Sequence, residues 1–443
     1  MGIEFAMIPE ATSAPVQSPV TLPGNSFYPW AVVAMLFPVA LLNYLDRMMV
    51  ATMRASIRAD IPTIANDADF GLLMAVFMWV YAAFSPIGGF LADRSNRRWL
   101  IIFSLAVWSL MTFCTGLART FTEMAWMRGL MGVSEAFYIP AALALIADFH
   151  PGPTRSRATG IHVSGIYAGQ ALGGLGGYIA DTSSWRNAFC WFGAAGVCYA
   201  IFLLVALRES ENRSNGSASA IVKFNVPQTL RALLGTSAFL ILLAYFTLPA
   251  LGGWAIKNWL PTFLGHEFNL KQGVAGLSAT GYVTLASFAG ALLGGALADR
   301  AMRSSARGRI YVSALGLGLC VPALFGLGHL SSMSMAIGCM ILFGVGFGFF
   351  DANNMPILCQ IVRPEFRATG YGIMNMVSIA AGAGATVLMG IMRDRGVSLG
   401  VAFAALAGAA AIGSVLILLV RKTPYEGTCL NLRGRPKDTH STT

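Results

Sequence analysis

The sequence of 443 residues has few charged residues, few histidines and no cysteine framework. Charged residues make up 11% of it and hydrophobic residues 56%, whereas roughly a quarter of the residues of a soluble protein are charged. Most of the chain is therefore expected to face something other than water. The seven cysteines contain no CxxC pair, and most of them lie in apolar stretches, so we interpret them as small packing residues.

The sequence motifs of enzymes are missing as well. No cluster of metal-ligating residues, no nucleophile–base set and no phosphate-binding loop is recognisable. The glycine-rich segment 165–177 follows no strand and precedes no GK[ST], which excludes a nucleotide loop. We therefore expect that the protein is not an enzyme and that it uses neither a metal nor an organic cofactor.

The sequence does contain long apolar runs. A membrane-spanning helix needs roughly 20 mostly apolar residues, and backbone without internal hydrogen bonds cannot face lipid, so these runs predict helices. They are too long for the strands of a membrane barrel. The sequence thus predicts an all-α membrane protein with twelve transmembrane helices, near residues 28–50, 70–92, 99–118, 124–147, 158–180, 186–207, 236–264, 274–298, 309–328, 332–358, 367–391 and 397–420.

A polar segment of low complexity at 208–235 divides these spans into two sets of six, which is typical of a linker. The prediction is an N-terminal six-helix bundle at 28–207 and a C-terminal one at 236–420. Segments 1–27 and 421–443 are predicted to be cytoplasmic tails. The first is rich in Pro, Ser and Thr, is expected to be flexible, and does not resemble a secretory signal.

The basic residues support this arrangement. With both termini in the cytoplasm, 20 of the 30 Lys and Arg residues lie in cytoplasmic loops and tails, 7 in outer loops and 3 inside spans. Basic residues are enriched on the cytoplasmic side of membrane proteins, so the net charge of +10 indicates membrane topology rather than binding to nucleic acid. We expect a monomer, surrounded by lipids, in a bacterial-type inner membrane.

The two predicted halves repeat each other. GGFLADR at 88–94 recurs as GGALADR at 294–300, 206 residues later, and RATG at 157–160 recurs at 367–370, 210 residues later. Two motifs at nearly the same spacing predict structurally equivalent halves, an arrangement that allows rocking around a central site.

The segment 89–98, between the second and third spans, resembles the signature loop of the major facilitator superfamily. The resemblance covers residues 28–420 and implies the major facilitator fold, in which two six-helix bundles give alternating access to a central cavity. A carboxylate in this loop can accept hydrogen bonds from a helix N-terminus. We therefore predict a cytoplasmic gate in which Asp93 faces the start of the eleventh helix and Asp299 the start of the fifth. The neighbouring basic residues of this gate are Arg94, Arg97 and Arg300.

Charged residues inside the spans are usually paired or functional, because a charge in a membrane has a high free-energy cost. In the first span, Tyr44 and Arg47 share a helix face that can line the cavity, while Asp46 points toward a neighbouring helix. In the fourth span, Arg128 and Glu135 are seven residues apart and share a face.

These four charged groups allow two interpretations. They form two ion pairs that only hold helices together, or they take part in transport. In the second case the planar guanidinium of Arg47 can form two parallel hydrogen bonds with a carboxylate of the cargo. A protein carboxylate in low-dielectric surroundings favours its protonated form. While ionised, Asp46 and Glu135 hold the arginines; once protonated, they release Arg47 for an incoming anion.

The same segments resemble the anion:cation symporter branch of the superfamily, which moves sugar acids and other organic anions. The branch has Asn-Tyr-x-Asp-Arg in its first helix, here 43–47, and Arg-Gly-x-x-Gly-x-x-Glu in its fourth, here 128–135. The resemblance implies that Asp46 and Glu135 are the protonatable pair and that Arg47 binds the cargo carboxylate. It also suggests Tyr81 and Gln170 as cargo contacts. The first segment is similar to the Spinster family too.

The tenth span contains an acid and two amides, Asp351, Asn353 and Asn354, that do not match the pattern of the anion:cation symporters. They form a second cargo site that binds sugar hydroxyls, or Asp351 pairs with Lys257 of the seventh span as a structural bridge. Asn375 in the eleventh span is a further candidate for contact with the cargo.

Two functions fit these residues. The first is symport of a small organic anion, such as a hexuronate or aldonate, with the proton as coupling ion. The second is transport of a lipid, lysolipid or neutral sugar, as the similarity to Spinster proteins suggests. A polar cavity favours the first function and a greasy cavity favours a lipid.

Overall fold

The computed structural model describes residues 27–150, 154–210, 230–231, 233–329, 332–363 and 366–420, which are helical with short connections and contain no strand. The predicted tails and most of the predicted linker lie outside this part. The helices are α1 (Tyr28–Thr52), α2 (Arg54–Asp60), α3 (Asp67–Arg94), α4 (Arg97–Thr115), α5 (Phe121–Phe149), α6 (Arg155–Leu172), α7 (Leu175–Thr182), α8 (Trp185–Ala206), α9 (Ser237–Glu267), α10 (Gln272–Ala301), α11 (Gly308–Leu327), α12 (Met333–Ile361), α13 (Arg367–Asp394) and α14 (Leu399–Leu419).

Eleven helices of the described chain are long and apolar enough to cross a membrane. The remaining predicted span, the fifth, corresponds to α6 and α7 together, which are separated at Gly173 and Gly174. A side-chain carbon on Gly173 would lie 2.3 Å from Cβ of Met48 in α1, and one on Gly174 would lie 2.4 Å from the backbone nitrogen of Leu277 in α10. The interruption thus lies where two other helices approach the backbone closely. The all-helical fold is confirmed.

The two halves pack their helices in the same order. α3 packs on α5 as α10 packs on α12, α1 on α6 as α9 on α13, and α4 on α8 as α11 on α14. Between the halves, the main contacts are α3 with α13 and α10 with α6 and α7. The two interfaces are equivalent, because α3 of the first half corresponds to α10 of the second, and α6 with α7 corresponds to α13.

The halves are in close contact at one end, which the charge distribution predicts to be the outer end. A side-chain carbon on Gly71 of α3 would lie 2.9 Å from the carbonyl oxygen of Thr386 in α13, and one on Gly390 would lie 2.3 Å from that of Asp67. In the other interface, a carbon on Gly273 of α10 would lie 2.6 Å from Cα of Tyr178. Glycine therefore permits direct backbone contact here.

The described glycines near the other end, which is predicted to be cytoplasmic, show no such close contact with the opposite half. A side-chain carbon on Gly89 of α3, Gly372 of α13, Gly160 of α6 or Gly295 of α10 would meet no described atom within 4 Å. The nearest atoms to one on Gly88, Gly294 or Gly370 belong to the same half. The close glycine contacts between the halves are thus found at the predicted outer end.

Candidate cargo site between the two halves

A buried ion pair joins the first and fourth predicted spans. Nε of Arg47 in α1 lies 2.5 Å from Oε2 of Glu135 in α5, and both side chains are almost completely buried. The other carboxylate oxygen of Glu135, Oε1, and Nη2 of Arg47 have no hydrogen-bond partner among the described groups. The arginine therefore keeps part of its hydrogen-bonding capacity for another ligand.

Three aromatic rings surround the Arg47 guanidinium. Its central carbon lies 4.4 Å from the ring centroid of Tyr81, 4.6 Å from that of Tyr44 and 5.2 Å from that of Phe77. Cation–π contacts of this kind contribute about 0.5 to 2 kcal/mol each, more when the charge is desolvated. Tyr44 and Tyr81 thus pack against Arg47, and their predicted contact with the cargo stays a prediction.

Asp46 forms no ion pair within 4 Å among the described residues. Its Oδ2 accepts a hydrogen bond of 3.1 Å from the hydroxyl of Thr112 in α4, as expected for a residue that points to a neighbouring helix. Its Oδ1 has no partner among the described groups. Arg128 is buried over the ring of Phe77, at 4.6 Å, and forms no ion pair in the described part of the chain, although it interacts electrostatically with both carboxylates. The expectation that Asp46 directly holds an arginine does not match this conformation.

A cavity lies between the halves and is lined by residues of both. Its wall includes Met48, the residue after Arg47 in α1, but neither Arg47 nor Tyr44, which the sequence analysis expected to line it. Gln170 of α6 lines it, as predicted, and so do Lys257 of α9 and Asp351 of α12. The wall combines polar and apolar groups in similar number, and its remaining members are Tyr167, Gly253, Ile256, Ala279, Thr280, Val283, Thr284, Ser287, Phe343, Phe347 and Gly348. Such a wall suits a cargo that has both polar and apolar portions.

The two amides of α12 point elsewhere. Nδ2 of Asn353 donates to the carbonyl oxygen of Phe349 in the same helix at 2.8 Å, and Oδ1 of Asn354 accepts from the Tyr245 hydroxyl at 3.2 Å. Both amides are buried, and neither lines the cavity. Asn354 thus links α12 to α9 while Asn353 bonds within α12, and only Asp351 of the predicted group lines the cavity. Asn375 is half-buried on α13.

Two tyrosines near the charged groups were not predicted. Tyr167 of α6 lines the cavity and interacts electrostatically with Asp351. Tyr371 of α13 interacts electrostatically with Asp351 of its own half and with Tyr44 and Tyr81 of the other. The sequence did offer a signal, because Tyr167 shares a helix face with Gln170 and Tyr371 shares one with Asn375.

Asp299, Arg97 and Arg94 of the predicted cytoplasmic gate contact residues of their own half. Asp299 pairs with Arg309 of its own half at 3.2 Å, and Arg97 pairs with Asp148 of its own half. Arg94 lies over the ring of Phe90 at 3.8 Å, and Asp93 and Arg300 are exposed. The helices expected to receive the gate carboxylates, α6 and α13, begin without a side-chain hydrogen-bond cap. The gate stays a prediction for the opposite conformation.

The opposite, closed end contains a contact of the same chemical type. The carboxylate of Asp394, at the end of α13, accepts hydrogen bonds from the backbone N–H groups of Asp67 and Ala68 at the start of α3, at 2.9 and 2.8 Å. Asp67 in turn forms ion pairs with Arg393 at 3.1 Å, with Arg58 at 3.0 Å and with Arg54. A carboxylate at a helix N-terminus is favoured by the free N–H groups and the helix dipole.

The equivalent position in the other interface repeats this contact. Oδ2 of Asp181, at the end of α7, accepts a hydrogen bond of 2.7 Å from the backbone N–H of Gly273 at the start of α10. Gly273 follows Asp67 by 206 residues, the spacing of the GGxLADR repeat. The outer end is thus closed by two equivalent carboxylate–helix contacts.

This architecture and its cluster of charges agree with comparisons to known proteins. Residues 36–386 match the Major Facilitator Superfamily. The chain belongs to the Major Facilitator Superfamily. It is therefore a multi-pass membrane transporter of the secondary type, and the resemblance of segment 89–98 to this superfamily is confirmed.

Similar proteins within the superfamily are Spinster proteins. The chain is 28% identical to Protein spinster of Drosophila melanogaster over 86% of its own length and 64% of that protein's length. It is 30% identical to Protein spinster homolog 1 of Homo sapiens over 82% of its length and 73% of the human protein. The chain thus spans about two thirds of the length of these relatives.

The fold is also similar to that of a bacterial homologue of the human lysosomal transporter Spinster, solved in an inward-facing and unoccupied conformation. The TM-score is 0.71 at 21% identity, over 90% of this chain and 95% of that one. The similarity to Spinster proteins inferred from residues 43–47 is therefore confirmed, whereas the similarity to the anion:cation symporters stays a prediction.

Proposed function

We propose that this transporter carries an organic anion together with a proton. The observation that carries the proposal is the buried ion pair between Arg47 and Glu135 beside the cavity, with carboxylate and guanidinium atoms left unpaired around it. Ionisable groups inside a membrane are costly, and they commonly mark substrate pathways and proton relays.

The ion pair links the two ligands by competition. While Glu135 is ionised, it occupies the Arg47 guanidinium. Protonation removes the charge from the carboxylate, so the guanidinium is released and can form a bidentate contact with an anionic group of the cargo. Binding of one anion and one proton leaves the net charge of the cluster unchanged, which limits the cost of charge in low-dielectric surroundings.

Asp46 and Arg128 complete the cluster in this proposal. Asp46 keeps one carboxylate oxygen free of described partners and is a second position for the proton. Arg128 interacts electrostatically with both carboxylates and with Arg47, so it balances the charge of the cluster while Arg47 changes partner.

A sugar acid such as a hexuronate or aldonate is the first candidate cargo. The hydroxyls and charges of the cavity wall, among them Thr284, Ser287 and Lys257, support a hydroxylated anion.

An anionic lysolipid is the second candidate, favoured by the similarity to Spinster proteins and by the apolar part of the wall at Ile256, Phe343 and Phe347. Both candidates have an anionic group that Arg47 can bind.

Uptake into proteoliposomes under an imposed inward proton gradient tests the proposal. The cargo panel is radiolabelled glucuronate, galacturonate and galactonate, with a fluorescent lysophosphatidic acid in a parallel assay of movement between leaflets. We expect gradient-driven accumulation by the wild type and a loss of at least tenfold in Asp46→Asn.

The matched control is Asp60→Asn. Asp60 is a half-exposed carboxylate that pairs with Arg186 in the same half, away from the cavity, so this variant should transport normally. Gradient-driven movement of lysolipid alone would select the second candidate. Transport of every cargo at background level, in a wild type that runs as a monodisperse species on gel filtration, would contradict the proposal.

A further inference from the structure

Two opposite charges line the C-terminal wall of the cavity without forming an ion pair. Lys257 of α9 and Asp351 of α12 both belong to the wall, and they interact electrostatically. Neither takes part in an ion pair within 4 Å in the part of the chain that the structure describes. The ammonium of Lys257 instead lies 5.1 Å from the ring centroid of Trp254.

This geometry argues against a purely structural bridge. A bridge that only joins α9 to α12 would be closed, because separated charges in a membrane protein have a high desolvation cost. Asp351 is instead exposed to the cavity and Lys257 is half-buried. The position of α12 against α9 is already fixed by the hydrogen bond between Tyr245 and Asn354.

The surroundings of the two charges define what they bind. Thr284 and Ser287 of α10, which are three residues apart and share a helix face, place hydroxyls in the same wall. A carboxylate only accepts hydrogen bonds, an ammonium only donates them, and a hydroxyl does both. This set of groups matches a ligand that donates and accepts at adjacent atoms, as neighbouring hydroxyls do.

We propose that Lys257 and Asp351 form a second cargo subsite that binds a hydroxyl-bearing portion of the organic anion whose acid group Arg47 binds. The proposal rests on the proposed function. The two sites belong to one region of the cavity, since Met48, the residue after Arg47 in α1, lines the same wall as Lys257 and Asp351. The hydroxylated end of the cargo thus contacts the C-terminal half and the acid end contacts the N-terminal half.

Binding of two six-carbon acids by purified protein in nanodiscs tests this subsite. Galactonate carries hydroxyls along its chain and hexanoate carries none, while both have one carboxylate. We expect isothermal titration calorimetry to show at least tenfold tighter binding of galactonate to the wild type. Asp351→Asn and Lys257→Gln should each lose about tenfold in affinity for galactonate and nothing for hexanoate, because hydrogen bonds to charged groups are among the stronger ones.

Two control measurements distinguish the loss of a cargo contact from a general loss of folded protein. Asp60→Asn should bind both acids like the wild type, and the double variant Lys257→Gln/Asp351→Asn should keep its melting temperature within a few degrees. Arg47→Gln should reduce the binding affinity for galactonate and for hexanoate by a similar factor.

Equal affinity of the wild type for the two acids would contradict the proposed subsite. An equal loss of affinity for both acids in Asp351→Asn would contradict it as well. In a third outcome, Arg47→Gln binds both acids with normal affinity while Asp351→Asn loses affinity for galactonate alone. The proposed function would then be wrong, and the subsite would still be supported.

Discussion

Removing the charge of Asp394 should open the outer end of the transporter. Its carboxylate accepts two backbone hydrogen bonds across the interface between the halves, at 2.9 and 2.8 Å, from the start of α3. These contacts exist only while this end is closed, so they stabilise the closed conformation relative to the open one. The variant Asp394→Asn keeps one neutral acceptor and loses the second bond and the charge.

The expected size follows from the geometry. A hydrogen bond to a charged group contributes about 1.5 to 3 kcal/mol, and Asp394 is exposed, so solvent screening reduces its share. We expect a loss of about 1 to 1.5 kcal/mol, which changes the ratio of closed to open outer ends about fivefold to tenfold. The distance between Ala65 in the N-terminal half and Arg395 in the C-terminal half reports this ratio.

Double electron–electron resonance between spin labels at these two positions is the assay, in liposomes and with the native cysteines replaced. We expect a larger fraction of long distances in Asp394→Asn, and no change in Asp60→Asn, whose ion pair stays within one half. An identical distance distribution in Asp394→Asn and in the unmodified background would refute the closing role of this carboxylate.

Three further changes test other parts of the structure. Gly390→Val places a side chain where Cβ would lie 2.3 Å from the carbonyl oxygen of Asp67, so uptake should fall more than tenfold in protein of normal yield; normal uptake would contradict the close contact. Tyr81→Leu removes a ring 4.4 Å from the Arg47 guanidinium, so KM should rise about threefold to tenfold with little change in kcat, and Tyr81→Phe should restore it. Tyr245→Phe removes the buried hydrogen bond to Asn354 and should cost about 1 to 3 kcal/mol of stability, measured as a lower melting temperature with unchanged cargo affinity.

Much of the fold could be predicted from the sequence. Its apolar runs are long enough to span a membrane, and a lipid-exposed run of that length satisfies its backbone hydrogen bonds as a helix. The break between α6 and α7 is the exception. Glycines at 173 and 174 do not lower hydropathy strongly, and the close approach of α1 and α10 at these residues depends on the packing of separate spans.

The sequence predicted which residues form the charged cluster better than it predicted which of them pair with each other. Helical spacing correctly placed Tyr44 beside Arg47 and turned Asp46 toward a neighbouring helix. Spacing within one helix does not determine which partner a side chain finds on another helix. For this reason the ion pair of Arg47 with Glu135, rather than with Asp46, required the three-dimensional structure.

For the same reason, the sequence left Asp351 open between a second cargo site and a structural bridge to Lys257, and it did not indicate the outer closure. Lys257 and Asp351 come from spans seven and ten, and their separation across a shared wall depends on how α9 and α12 cross. In the sequence Asp394 is one of several loop charges, and only the fold places the start of α3 beside it.

Simultaneous recording of cargo and proton entry tests the link between Arg47 and Glu135 most directly. Proteoliposomes loaded with a pH-sensitive dye receive external galactonate, without an imposed gradient, and uptake and internal pH are followed together. We predict that the wild type acidifies the interior as cargo enters, and that Glu135→Gln exchanges cargo without acidification. Cargo entry without acidification in the wild type, or equal acidification in Glu135→Gln, would contradict proton coupling through this ion pair.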